Sequence, residues 1–309
     1  MSFSSEIKDE IMKNIDLPEC CTHAFAYGML LFGRSFNLSE ISLLTDNGAV
    51  AEKYIEAVKN ASGVEGTLSV SQAGKYTVDF KNDDERRNVL SSFSSTGKAV
   101  VQRVDRGNLS NDSGGETGEM GCCDISFIKG AFLSCGTASD PNKSYHIEFV
   151  VPYKKLCNDF ICFLEELGFK PKYINRKGNH IVYFKDSESI EDMLAVIGAQ
   201  NASLYLMGVK IEKDVKNKIN RKMNFELSNI DKTIDAASPQ IEAILFIDEK
   251  IGIDSLPDNL REIAHLRIEN PESSLRDLGM LLSEPLSRSG VNHRLARIVS
   301  YAEKLKAGE

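Results

Sequence analysis

Apolar positions gather twice along the chain into compact runs with a shared order of residues. Residues 20–36 read C-C-T-H-A-F-A-Y-G-M-L-L-F-G-R-S-F, and residues 122–138 read C-C-D-I-S-F-I-K-G-A-F-L-S-C-G-T-A. At an offset of 102 residues Cys20 meets Cys122, Cys21 meets Cys123, Phe25 meets Phe127, Gly28 meets Gly130 and Leu31 meets Leu133. Each run predicts a buried helix with an internal glycine. An isolated helical glycine costs about 1 kcal/mol, so its recurrence points to close backbone packing.

The elements downstream of each run also repeat. The first run precedes a strand pattern over 41–46, a helix over 49–61, strands near 67–71 and 76–80, and a helix over 83–90. The second precedes alternating apolar positions over 145–151, a helix over 153–167, strands near 170–175 and 180–184, and a helix over 187–197. Two such α/β modules predict an internal pseudo-dimer, about 20–100 and 122–200, with the glycine helices meeting at its seam. The alternative is a chance likeness between two unrelated helices. Residues 106–121 have linker composition.

Beyond about residue 210 the pattern is helical. A long polar-amphipathic stretch, 211–251, leads to Pro257, which is placed to open a helix carrying Leu260, Ile263, Leu266 and Arg267. Ser274 and Asp277 then have capping-box spacing, and Leu275, Leu278, Leu281 and Leu282 form one apolar face. Pro285 stops that helix, and Ser287 caps a last one beginning at Arg288. There Val291, Leu295, Ile298, Ala302 and Leu305 form a continuous buried stripe. At ~100° per residue the opposite face carries Ser289, His293, Arg297, Ser300 and Lys304, with Asn292 and Arg294 on the flanks. The expected organisation is an α+β domain over 1–205, a helical linker over 206–252 and an all-α helix-turn-helix over 253–309.

Charge sharpens this picture. The 309 residues carry a formal net charge of −8, which argues against uniform coating of nucleic acid. Yet on the last helix Arg288, Arg294, Arg297, Lys304 and Lys306 stand against Glu303 alone. That is the footprint of a recognition helix, in which N-terminal residues reach base edges while Arg and Lys neutralise phosphates. Asn292 suits adenine, Arg288 or Arg297 suits guanine, and His293 is a further hydrogen-bond partner. Ser287, Ser289, Arg294 and Lys304 complete the candidate DNA-binding set. The competing reading is a solvated basic face on an ordinary three-helix bundle. The turn looks long by about two residues relative to the commonest helix-turn-helix, which leaves the base-reading positions open. A second basic stretch over 210–222 offers Lys218, Arg221 and Lys222 as secondary phosphate contacts or as a solvated helix face.

No apolar run approaches the ~18 residues of a membrane span, and the N-terminus lacks a signal-peptide pattern, so a cytoplasmic protein with no membrane partner is expected. The seven cysteines show no disulfide-framework spacing and are expected to be mostly small buried apolar residues. Cys20, Cys21 and His23 could be imagined around zinc, but adjacent cysteines seldom share one ion and no C-x-x-C is present, so no metal and no cofactor are expected.

The two glycine helices resemble the LAGLIDADG motif of homing endonucleases. Residues 219–241, 286–295 (L-S-R-S-G-V-N-H-R-L) and 130–146 (G-A-F-L-S-C-G-T-A-S-D-P-N-K-S-Y-H) are similar to the WhiA family of sporulation and cell-division regulators of Gram-positive bacteria. The resemblance covers nearly the whole chain. It implies a nucleoid-associated transcription factor acting in cell division, chromosome segregation and sporulation. Double-stranded DNA would be its partner, with other regulatory proteins as further candidates, and its endonuclease fold would have no activity. Active relatives hold Mg²⁺ with an acid at the C-terminal end of each seam helix. Aligning on Gly28 and Gly130 puts Gly33 and Cys135 at those positions, and neither supplies the carboxylate oxygen that a hard cation needs. Asp46, Asp140 and Glu148 fall outside the helix ends and read as strand and turn residues. A metal-dependent endonuclease and a ligand- or partner-sensing scaffold are the alternatives.

Overall fold

The computed structural model describes residues 2–93, 103–109 and 121–308. Most of the linker-like run 106–121 therefore lies outside the described residues. The chain forms two compact units, Met1–Lys213 and Asp214–Glu309.

The first unit opens on α1 (Phe3–Lys13), whose Ser2 side chain accepts from the Ser5 N–H at 3.2 Å and whose Ile7 and Ile11 enter the core. The first module then runs α2 (Glu19–Leu31), β1 (Ser35–Phe36), β2 (Ile41–Thr45), α3 (Gly48–Ser62), β3 (Thr67–Val70), β4 (Tyr76–Asp79) and α4 (Asp83–Ser92). The second runs α5 (Cys122–Cys135), β5 (Gly136–Ala138), β6 (Ile147–Val151), α6 (Lys154–Glu166), β7 (Lys172–Arg176), β8 (Asn179–Phe184) and α7 (Ser187–Val196). Their antiparallel sheets have the orders β1-β2-β4-β3 and β5-β6-β8-β7, which is one topology used twice. The α1 helix and the two- and three-residue strands β1 and β5 are additions to the elements that the sequence predicts.

Register follows the apolar alternation. Leu43 lies opposite Val78, and Phe149 opposite Val182, with all four buried. Ile147, Phe149 and Val151 face inward while Glu148 and Val150 between them are half-buried. The β7–β8 turn places Lys177 and Gly178 at φ of 51° and 85°, the two left-handed positions of a tight hairpin.

The seam is the centre of the unit. A Cβ on Gly28 would lie 2.3 Å from the Phe127 carbonyl oxygen, and one on Gly130 would lie 2.3 Å from that of Phe25. Each glycine thus receives the backbone of the opposite helix, at symmetry-equivalent residues. Ser134 also donates to the Met29 carbonyl at 2.9 Å. Around this crossing Phe32 of the first module packs on Phe160 and Phe127 of the second at ring separations of 4.6 and 5.8 Å. The two modules share one core.

The α8 helix (Gln200–Ile251) gives Ala202 and Leu206 to the first core and Ala243, Ile244 and Ile247 to the second. It continues through Pro239, whose ring lies on an exposed stretch, so the carbonyl deprived of an N–H donor one turn earlier can meet water. The second unit adds α9 (Asp258–Glu269), α10 (Leu275–Leu281) and α11 (Arg288–Ala307). Its core takes in residues of α8 that the sequence assigns to the linker.

Replacing Gly28 or Gly130 by alanine should cost at least the ~3 kcal/mol that marks the upper end of ordinary overpacking. Gly208→Ala, on an exposed face of α8 with no atom near the added carbon, should instead gain up to ~1 kcal/mol. Urea midpoints of the three variants test this. Equal stability of Gly28→Ala and the parent would refute the close approach.

Candidate nucleic-acid interface

The α11 helix begins where the sequence places it. The Ser287 side chain accepts from the Gly290 N–H at 3.3 Å, and Gly308 ends the helix in a left-handed conformation at φ 79°. Val291, Leu295, Ile298 and Ala302 are 0–2% exposed and pack into the second core, with Leu305 partly buried beside them. Ser287, Arg288, Ser289, Asn292, His293, Arg297 and Lys304 are exposed, and Arg294 is half-buried on the flank. Among the described residues, Arg288, Arg294, Arg297 and Lys304 have no carboxylate within 4.0 Å. Lys306 is turned away from them, its Nζ 5.0 Å from the centre of the Phe246 ring.

The preceding helix is held by backbone contact against the turn that leads into α11. The Leu286 N–H donates to the Gly279 carbonyl at 3.0 Å, and a Cβ on Gly279 would sit 2.3 Å from the Leu286 carbonyl oxygen. Ser274 caps α10 by accepting from the Asp277 N–H at 3.2 Å, while its hydroxyl donates to the Asp277 carboxylate at 2.7 Å. One expectation needs correction. Leu278 and Leu282 are buried and Leu275 is partly so, but Leu281 is 53% exposed. The helix stops at Leu281, and extended backbone at Leu282 (ψ 147°) turns that residue inward in its place. Residues 282–287 separate the two helices.

Arg267, absent from the predicted set, braces the α9–α10 connection. It is 1% exposed, and its Nη1 donates to the Ser273 carbonyl at 2.9 Å, with the Pro271 and Asn270 carbonyls at 3.4 and 3.5 Å. Burial lowers its pKa from the ordinary value. A groove of about 490 Å³ adjoins it, lined by Lys232, Arg276, Arg288 and Asn292 among others. It brings Lys232 and Arg276 beside the start of α11. The sequence missed both, because their charges lie on elements whose local pattern is not basic.

In the second basic stretch, Lys210 pairs with Glu191 at 3.5 Å, and Lys213 donates to the Pro141 carbonyl at 2.6 Å. These two are engaged within the first unit. Lys218, Arg221 and Lys222 are exposed on α8, and Lys222 lies 3.9 Å from Glu226, an exposed pair worth ~0.5 kcal/mol at most.

At the C-terminal ends of the seam helices, a Cβ on Gly33 would lie 3.0 Å from the Ser42 carbonyl oxygen, a tight contact, and the glycine itself supplies no side-chain ligand. Burial pushes the Cys135 thiol up to about 12, and the charged group within its electrostatic reach is the buried ammonium of Lys8. Asp140 accepts from the Asn142 N–H in a turn, and Glu148 lies 3.0 Å from His146 on β6. Both occupy the strand and turn roles that the sequence assigns them.

The cysteines differ from expectation, since only three of the seven are buried. His23 stacks on Phe93 at 4.4 Å and meets Asn108 at 3.1 Å, away from Cys20 and Cys21. Those two instead face Cys122 and Cys123 across the seam. Burial raises the Cys21 thiol, while hydrogen bonds from Cys21 and Cys20 lower that of Cys122.

Residues 219–302 match the WhiA C-terminal HTH domain, and residues 125–216 match the WhiA LAGLIDADG-like domain. Along its full length the chain is 35% identical to "Probable cell division protein WhiA" of Caldicellulosiruptor saccharolyticus, covering 97% of that protein. It is 34% identical to the protein of the same name from Clostridium botulinum, covering all of both chains. The chain belongs to the WhiA family. Its fold is that of full-length WhiA from Thermatoga maritima, whose crystal structure matches with a TM-score of 0.57 at 23% identity over 98% of this chain and 99% of that one. In WhiA terms, most of α5 lies in the matched LAGLIDADG-like domain, α2 is its counterpart in the internal repeat, and α10 and most of α11 lie in the matched HTH domain.

Because Arg267 supplies buried, charge-assisted donors to the carbonyls that shape this WhiA turn, Arg267→Ala should destabilise the second unit by about 3 kcal/mol. Denaturant melting followed by helical circular dichroism measures it. A loss well under 1 kcal/mol would remove the bracing role.

Proposed function

We propose that this WhiA-family chain is a sequence-specific, DNA-binding transcription regulator that acts in cell division, chromosome segregation and sporulation, and that it reads duplex DNA with α11. The observation that carries this is charge segregation. In a chain of net charge −8, three exposed cations and the half-buried Arg294, none with a carboxylate partner among the described residues, lie on one helix with the exposed Asn292 and His293. Cations left unpaired by the protein can neutralise phosphates and release the counterions condensed on the duplex, and the amide and imidazole supply base-edge hydrogen bonds. Ser287, Arg288 and Ser289 stand at the helix N-terminus, where a recognition helix enters the major groove. Lys218, Arg221 and Lys222 are assigned secondary phosphate contacts.

The first unit is assigned no nuclease chemistry. Phosphodiester cleavage by a hard divalent ion requires oxygen ligands at the helix ends, and Gly33 and Cys135 offer none. The family membership, and the name of the relatives as cell-division proteins, support the regulatory reading. No described helix is long and apolar enough to cross a membrane, and a cytoplasmic, nucleoid-associated location follows from the proposed partner.

Binding to duplexes selected from a random library, measured across a salt series, tests the assignment. Arg294→Ala and Arg297→Ala should each weaken binding and reduce the log–log salt slope by about one. Asn292→Ala and His293→Ala should cost about 1–3 kcal/mol on the selected site and narrow its margin over random duplex. Unchanged binding in all four variants would eliminate α11 as the reader. In a parallel assay supercoiled plasmid should survive incubation with the protein and Mg²⁺; nicked or linear product would favour the endonuclease reading.

A further inference from the structure

We propose that Cys20, Cys21, Cys122 and Cys123 form a tetrathiolate site for one zinc ion, which clips the two modules together at the N-terminal end of the seam. The sulfur atoms of the four side chains all lie within 4.8 Å of one another. Three of the separations are 3.7 Å (Cys20–Cys21), 3.8 Å (Cys20–Cys122) and 3.9 Å (Cys21–Cys123). Zinc bonds thiolate sulfur at about 2.3 Å, so the edges of its tetrahedron are about 3.8 Å long. The observed spacing is that of a tetrahedral shell around a point. It is well beyond the ~2.05 Å of a disulfide. It is also too tight to enclose an iron–sulfur cluster, whose own metal and sulfide atoms would have to lie between the cysteines.

The difficulty with adjacent cysteines is that neighbouring side chains normally diverge. Here Cys20 and Cys21 already direct their sulfurs to one point, as the 3.7 Å separation shows. The pseudo-symmetry then supplies an equivalent pair from α5. Each pair holds one exposed and one buried sulfur, so the group lies at the surface with an open entry path.

Charge also fits. Binding Zn²⁺ to four thiols releases their protons to solvent and leaves a centre of charge −2. Both pairs sit in the first turn of their helices, where unsatisfied N–H groups and the helix dipole favour negative charge. The Lys129 ammonium lies within electrostatic reach of Cys21. Hard cations are disfavoured by the all-sulfur donor set, which selects zinc over magnesium or calcium.

The test uses the full chain without a polyhistidine tag, purified under reducing, oxygen-free conditions. Elemental analysis should find one zinc per chain. Exchange for Co²⁺ should give the intense visible bands of tetrahedral cobalt and sulfur-to-metal charge transfer in the near ultraviolet. Cys20→Ser combined with Cys122→Ser replaces the two exposed sulfurs, and should abolish both spectral features and weaken zinc retention at least tenfold. Cys162→Ser, an exposed cysteine elsewhere, should leave them unchanged. Alkylation of the unsubstituted chain provides a readout independent of how the variants fold. Zinc should protect Cys20 and Cys122 while Cys162 stays reactive. The proposal fails if the reduced chain takes up no cobalt, if the double variant keeps the same spectrum, or if zinc leaves the alkylation pattern unaltered. A Cys20–Cys122 disulfide that gives no metal uptake after reduction would overturn it equally.

Discussion

Two helices can touch backbone to backbone only where neither carries a side chain at the crossing. Gly28 and Gly130 meet that condition reciprocally, each receiving a carbonyl from the facing helix at the other module's phenylalanine. The aromatic core around Phe32, Phe127 and Phe160 closes over this contact, and both sheets take their place from it. A methyl group at either glycine would have to push the helices apart, and the interlocked rings leave little freedom to absorb the shift.

Much of this was legible in the sequence because repetition converts a weak signal into a strong one. One mid-helix glycine could be a blemish; two at the same register with matching phenylalanines specify an interface. The alternation of Ile147, Phe149 and Val151 likewise defined β6 and the face it buries. Elements of two or three residues, such as β1 and β5, carry too few positions for any period to show. Leu281 was misplaced because its helix ends one residue too soon for the apolar spacing to be obeyed. The candidate DNA-reading residues were found from the buried stripe on α11, which fixes by subtraction what faces outward. Lys232 and Arg276 were not, since only folding brings them beside Arg288.

The cysteines show the same limit in sharper form. Judged by sequence neighbours, Cys20 and Cys21 have only His23 for company, and that imidazole turns away to Asn108 and Phe93. Their actual companions are the residues that the repeat itself pairs with them. The correspondence was visible, yet spacing rules for metal ligands operate on local sequence, and a site assembled by pseudo-symmetry falls outside them.

The seam therefore has two chemically opposite ends. In an endonuclease of this architecture the helix C-termini bring carboxylates together, and their mutual repulsion is relieved by the hard cation that does the cutting. Here that end holds a glycine, where an added Cβ would lie 3.0 Å from a carbonyl oxygen, and a thiol near a buried ammonium, neither of which offers a hard cation an oxygen ligand. At the helix N-termini, four sulfurs occupy the place where backbone dipoles stabilise negative charge. A cation bound there can cut nothing, because all four coordination positions are taken by protein and none remains for water or phosphate. It would instead join residues 102 positions apart, across the connection between the modules, restricting the unfolded chain as a cross-link does. A closed thiolate shell at one end and helix ends without carboxylates at the other are chemically consistent, since neither presents oxygen ligands to a hard cation and both suit a seam that holds two modules together.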